Sequence, residues 1–291
     1  MSLNFSIIGG DARLINLAKM LSKDGNKVCV FGLEKSRMLK NIDNIEYCDN
    51  LEDVSKKSNI LITSIPFSSN DINIKAPFAL DEIKIKDLIH VSKGKTLISG
   101  AISSKVFNLI NDENIELIDI MKREELAILN TISTAEGTIE IMISKTEKIL
   151  HKSNVLILGY GRVAKTLAQK LKGLDVYVTC SARRNEVIAW INANGYKFLH
   201  INELGEQLST FDFIINTVPQ MILSKNKLQY VKKECFIIDL ASKPGGVDVE
   251  EVEKLGLQFE WALALPGKVA PITTAQIIKN TIYTVLQEKL L

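Results

Sequence analysis

The sequence predicts an α/β protein made of two doubly wound parallel sheets. Three observations carry that prediction. Short apolar runs that read as buried strands alternate with helix-like segments along the chain. The second half repeats the order of the first, element by element, at a period of about 150 residues. A strand, a glycine turn and a helix, "NVLILGYGRVAKTLAQKL" from Asn154 to Leu171, then open that second half.

The elements follow in order. Phe5–Ile8 reads as a strand ending in Gly9-Gly10-Asp11, and Ala12–Ser22 as an amphipathic helix with Leu14, Leu17, Ala18 and Leu21 on one face. Lys27–Phe31 is a second strand. Further strands are expected in "NILITSIP" (Asn59–Pro66), "TLISGAI" (Thr96–Ile102) and "IELIDIM" (Ile115–Met121). In the second half "LILGYGRV" answers "SIIGGDAR", "DVYVTCS" answers "KVCVFG", "DFIINTVP" answers "NILITSIP", and "CFIIDLAS" answers "TLISGAI". Between the halves lies Met121–Ser153, in which Ser133-x-x-Glu136 has capping-box spacing. Pro271–Leu291 reads as a terminal helix with Thr273-x-x-Gln276 as a second cap. Its apolar stripe is Ile277, Ile278, Ile282, Val285, Leu286 and Leu290. These two helices are expected to bridge the domains, opening toward a cleft between them. The expected division is 1–130, completed by 272–291, and 131–271.

Composition narrows the function. A chain of 291 residues has room for two domains, and 46% apolar with 24% charged residues is an ordinary soluble composition. A formal net charge of +2 makes no case for nucleic acid or an anionic membrane. The longest apolar runs fall short of a membrane span, and the start lacks a signal-peptide pattern. Cys29, Cys48, Cys180 and Cys235 are scattered, which suits reduced core thiols of a cytoplasmic protein. His90, His151 and His200 are too dispersed for a metal cluster, so no metal is expected.

The Asn154–Leu171 stretch carries the chemistry. Gly159-Tyr160-Gly161-Arg162-Val163-Ala164 fits G-x-G-x-x-G/A after a strand and opening a helix, which makes the domain Rossmann-like. Gly159 permits the tight turn, Gly161 lets a pyrophosphate approach the backbone, and Ala164 lets the helix pack on the strand. The first half has Asp11 where the second glycine should stand, so that domain suits substrate rather than dinucleotide. In the second half the strand after the helix ends "VYVTCSARR". Ser181 takes the place of the acid that bonds the ribose of NAD, and Arg183 and Arg184 follow, which favours the 2′-phosphate of NADP. Ligands of such sheets lie beyond the carboxyl ends of the strands. Thr217, Val218, Pro219, Asp239, Ala241, Gly267 and Lys268 are therefore cofactor candidates. Asp11, Arg13, Ser68, Ser69, Ser99 and Gly100 are candidates for a small anionic substrate, with Ser133, Thr134 and Thr273 at the helix starts. No histidine stands at a strand end facing the cleft, which disfavours a histidine acid or base. Asp11, Glu136 or water are the candidates for taking a proton, and the sequence does not choose; Lys268, a further catalytic candidate, could pair with a carboxylate of the substrate.

Several stretches together resemble the family of dipicolinate synthase A-subunits. They are "IIGGDAR", "STAEGTI" (Ser133–Ile139), "LGYGR", "INTVPQMIL" (Ile215–Leu223), "IIDLASKPGGVD" (Ile237–Asp248) and "ALPGKVAPITTAQI". The resemblance spans nearly the whole chain. It implies oxidation of a dihydrodipicolinate-type precursor to pyridine-2,6-dicarboxylate with NADP, in the mother-cell cytoplasm of a spore-forming bacterium. It also implies a partner, the flavoprotein-like B-subunit of dipicolinate synthase, and a homo-oligomer is compatible with it. Two other readings stay open: a shikimate- or methylene-tetrahydrofolate-dehydrogenase-like reductase, and a nucleotide-sensing protein without turnover.

Overall fold

The computed structural model describes residues 2–111 and 113–289. The chain forms two compact units, Met1–Asn130 with Ala270–Leu291, and Thr131–Val269. In the first unit the strands are β1 (Asn4–Ile8), β2 (Lys27–Phe31), β3 (Ile45–Tyr47), β4 (Ile60–Thr63), β5 (Thr96–Ser99) and β6 (Glu116–Asp119). They form one parallel sheet in the order β3-β2-β1-β4-β5-β6. The second unit contains β7 (Asn154–Leu158), β8 (Tyr177–Ala182), β9 (Lys197–His200), β10 (Phe213–Asn216), β11 (Phe236–Asp239) and β12 (Gln258–Trp261). Its order, β9-β8-β7-β10-β11-β12, is the same doubly wound plan, again parallel throughout. The central strands β10 and β11 are buried at every position, as a sheet covered on both faces requires.

Helices on the two faces of each sheet create two apolar cores per unit. In the first unit one core joins Phe5, Ile7, Leu14 and Leu17 to Ala275, Ile278 and Ile282 of the terminal helix Pro271–Glu288. That helix packs along the first helix, Ala12–Lys23. Polar contacts fix its position: Lys279 meets Asp24 at 2.7 Å, and the Tyr283 hydroxyl donates to Asp24 while accepting from Asn26. Leu290, the last residue of the predicted stripe, lies outside the described residues.

Three expectations change here. The long helix runs Glu124–Ser144, so Ser133, Thr134 and Glu136 are interior positions and the capping box is not formed. Thr273 likewise lies inside its helix, which starts at Pro271 after Ala270. The helix Glu124–Ser144 is also long and apolar enough to cross a bilayer by length and composition, although no unbroken apolar run announces it. Here it serves protein cores, with Leu126 buried in one and Ala135 and Met142 in another. Finally, Cys29 and Cys48 are joined as a disulfide, with Cα atoms 6.4 Å apart. The adjacent strands β2 and β3 bring them together, and β3 is absent from the strands expected of the sequence. Cys180 and Cys235 are free thiols, and burial pushes each up to about 12.

Candidate functional site

The glycine turn after β7 is held from both sides. Gly159 donates its N–H to the Ser181 carbonyl of β8 at 2.9 Å. Thr217, just after β10, donates its N–H and its hydroxyl to the Leu158 carbonyl at 3.0 and 2.8 Å. Gly159 has φ of +93°, and a Cβ there would lie 2.6 Å from Thr217 Oγ1 and 2.8 Å from Val218 Cγ2. Only glycine fits. Gly161 then opens the helix Arg162–Lys172 as an N-cap with no side-chain hydrogen bond, and a Cβ there would meet nothing within 4 Å. The positive end of an eleven-residue helix thus faces open space, while Ala164 is fully buried against the sheet. This is a fit for a diphosphate.

A cavity of about 390 Å³ adjoins the turn within the second unit. Its walls include Tyr160, the Ala182-Arg183-Arg184 segment, Asn202, Val218 and Lys227, and none of its described lining residues is acidic. The Arg184 backbone caps the helix Asn185–Ala193, and its guanidinium lies 3.1 Å from Glu186. Arg183 is exposed and makes no ion pair among the described residues. Tyr160 is buried edge-on to Tyr196, with ring centroids 6.1 Å apart; burial, reinforced by Cys180 and Tyr196, pushes its phenol up to about 12. Ser181 does not line the cavity. It lies fully buried one residue earlier, its hydroxyl without a hydrogen-bond partner, and the next residue, Ala182, lines the cavity.

Several other cofactor candidates hold the loops instead of lining the cavity. Asp239 is fully buried and accepts from Ala241 N at 2.9 Å, Gly246 N at 2.8 Å and Asn216 Nδ2 at 2.7 Å. Asn216 also ties both ends of Val218, accepting from its N–H and donating to its carbonyl. The Ala241 carbonyl accepts from Trp261 Nε1. Asp239, Ala241 and Thr217 therefore position Val218, which does line the cavity. Pro219 is exposed beside it. Gly267 and Lys268 lie on a short helix, Leu265–Val269, with Lys268 exposed.

The corresponding turn in the first unit is closed. The Asp11 carboxylate caps the helix Ala12–Lys23 through Arg13 N at 3.1 Å and takes the Arg13 guanidinium on both oxygens, at 2.9 and 2.7 Å. The Arg13 guanidinium also donates to the Ile65 carbonyl. Gly10 N–H donates to the Lys75 carbonyl at 3.0 Å. Burial raises the Asp11 carboxyl, but Arg13 outweighs it and holds the group below the ordinary carboxylate range. The substrate candidates are similarly engaged. Ser68 Oγ donates to Asn73 O and accepts from Asp71 N, closing a turn. Buried Ser99 donates to Ser64 O, and the Gly100 carbonyl accepts from Phe67 N. Ser133 is buried and Thr134 half-buried within the long helix, and Glu136 is paired with Lys170 at 2.8 Å. Ser69 and Thr273 are exposed. Arg13, Ser99, Gly100 and Ser133 are thus buried, whereas Asp11, Ser68 and Thr134 are partly exposed.

A cavity of about 470 Å³ in the first unit, lined by Asn4, Lys27, Asn44 and Lys57, lies at the amino ends of β1 and β2, the end such sheets do not use for ligands.

Residues 4–121 match the family model for the N-terminal domain of the dipicolinate synthase A-subunit. The dipicolinate synthase A-subunit of Bacillus subtilis is 30% identical over 294 residues, covering 98% of this chain and 96% of the relative. The chain belongs to the dipicolinate synthase A-subunit family. Crystal structures of that protein from Bacillus halodurans and Bacillus subtilis each have 29% identity and a TM-score of 0.88. The former covers 98% of this chain and 97% of its own, the latter 99% and 97%. Residues 133–251 match the NAD-binding domain of D-isomer specific 2-hydroxyacid dehydrogenases, which makes the second unit of this family member a dehydrogenase-type nucleotide domain.

Within this dipicolinate synthase relative, sequence reasoning misses Asn216, Asn202 and Lys227. Asn216 ends a strand, where only the partner Asp239, 23 residues on, gives it meaning. Lys227 sits in a polar stretch, Ser224–Lys227, that reads as solvated surface.

Proposed function

We propose that this chain oxidises a dihydrodipicolinate-type precursor to dipicolinate, with NADP held by the second unit. The observation that carries the reading is the uncapped helix start at Gly161 opening beside a cavity that has Ala182, Arg183 and Arg184 in place of an acidic strand end. NADP bound there would supply a two-electron hydride acceptor for the dihydropyridine, whose gained aromaticity would favour the loss. The chain's own residues supply placement. The backbone after Gly161 would hold the diphosphate and Arg183 and Arg184 would pair with the 2′-phosphate, while the Asn216–Asp239 pair keeps Val218 in the wall. Lys268 is the proposed partner of a substrate carboxylate. The ring also gives up one proton. Asp11 is engaged by Arg13 and Glu136 by Lys170, so water is the proposed acceptor.

The relatives' designation as an A-subunit supports a second component, here proposed as the flavoprotein-like B-subunit, in the mother-cell cytoplasm. That compartment would keep the Cys29–Cys48 pair under reducing pressure. Incubating the chain with NADP and freshly prepared dihydrodipicolinate, with and without the partner, tests the reading. Pyridine absorbance should rise together with reduced nicotinamide. Dipicolinate in neither tube would sink it, and nucleotide binding without turnover would favour a sensing role.

A further inference from the structure

The cavity beside the glycine turn has a second cationic wall. Lys227 of the short helix Lys225–Leu228 lines the same cavity as Arg183 and Arg184, and the helix is anchored by Leu228, which is fully buried in the core. Its two lysines differ. Lys225 is exposed and lies 3.8 Å from Glu251. Lys227 is half-buried, lines the cavity, and makes no ion pair among the described residues. Among the described residues its Nζ donates only to the Ile201 carbonyl, at 3.3 Å.

We propose that Lys227 is a specificity-determining residue that, with Arg183 and Arg184, selects an adenosine ribose carrying a phosphate. The inference rests on the NADP reading above. A phosphomonoester brings nearly two negative charges at neutral pH and three acceptor oxygens. The arginine wall meets this incompletely, because Arg184 also leans on Glu186. A half-buried ammonium whose partner is one long carbonyl contact is an unmet charge, and burial holds it below the ordinary lysine value. A phosphate in the cavity meets that charge, whereas a plain 2′-hydroxyl does not.

The test is equilibrium binding to the full chain of NADP, NAD and adenosine 2′,5′-bisphosphate, a probe without nicotinamide. Lys227→Met and Lys227→Gln should weaken NADP and the bisphosphate about tenfold, the scale of one charge-assisted hydrogen bond, and NAD by less than about twofold. Lys227→Arg should restore most of the loss. Thermal melting confirms that each variant is folded, and either uncharged variant suffices. Equal losses for NAD and NADP, or an unchanged NADP affinity, would overturn the proposal. The two failures are separable. An unmodified chain that binds NADP no better than NAD defeats the NADP reading itself. An NADP-preferring chain whose variants keep the preference defeats Lys227 alone.

Discussion

Asp239 at the end of β11 is a buried carboxylate kept in place by three donors, two of them backbone N–H groups. Removing it strands the Ala241 and Gly246 N–H groups and one of the two Asn216 amide hydrogens in a buried site. Asp239→Ala should therefore lower unfolding free energy by about 3 kcal/mol, read from the denaturant midpoint, and loosen nucleotide binding through Val218. A loss below about 0.5 kcal/mol would show that water or a shifted loop satisfies those donors. The same scale explains what the sequence makes legible. Gly159, Gly161 and Asp11 are readable because their meaning is local, set by the strand before and the helix after. Arg13 and Ser99 are not, because the groups they bind, the Ile65 and Ser64 carbonyls, are remote in sequence. Ser181 is buried while the next residue, Ala182, lines the cavity, because in a strand one residue changes the face.

Among the elements, the helix Glu124–Ser144 is the hardest to place from sequence. Its true start is marked by Glu124 and Glu125 in the first turn, where carboxylates suit the helix dipole. The Ser133-x-x-Glu136 spacing is a decoy, since hydroxyls are tolerated in helix interiors when they find a carbonyl. Thr138 does so, donating to Thr134 O at 2.8 Å. Gly137 looks costly in mid-helix, yet a Cβ there would lie 3.1–3.3 Å from Val269 and Leu265. The glycine lets the short helix Leu265–Val269 approach. Gly137→Val should cost about 2 kcal/mol by overpacking despite the gain in helix propensity. A melting temperature equal to or above that of the unmodified chain would refute the close-approach role. The short strand β3 escapes notice for a simpler reason: three residues carry too little pattern.

The whole molecule repeats one sheet order twice, and the echo of strand sequences makes that plan legible without the structure. The difference between the twins is only half legible. Asp11 announces that the first turn is unsuited to a phosphate, but the Lys75 carbonyl that takes the Gly10 N–H comes from a distant loop. Isothermal titration should therefore find one dinucleotide per chain. A stoichiometry of two would show that the first turn opens.

The closed turn also sets how the two units respond to supply. In the first unit a carboxylate and a carbonyl of the chain itself already engage the N–H groups of the turn, so on the proposed reading that turn gains nothing from the nucleotide pool. On the proposed reading the second unit has no such resident surrogate. It gains RT ln(1 + [L]/Kd) from its ligand, about 2.7 kcal/mol when the pool stands at a hundred times Kd, and forfeits it in starvation. A falling pool would then lower the protease resistance of the second unit first.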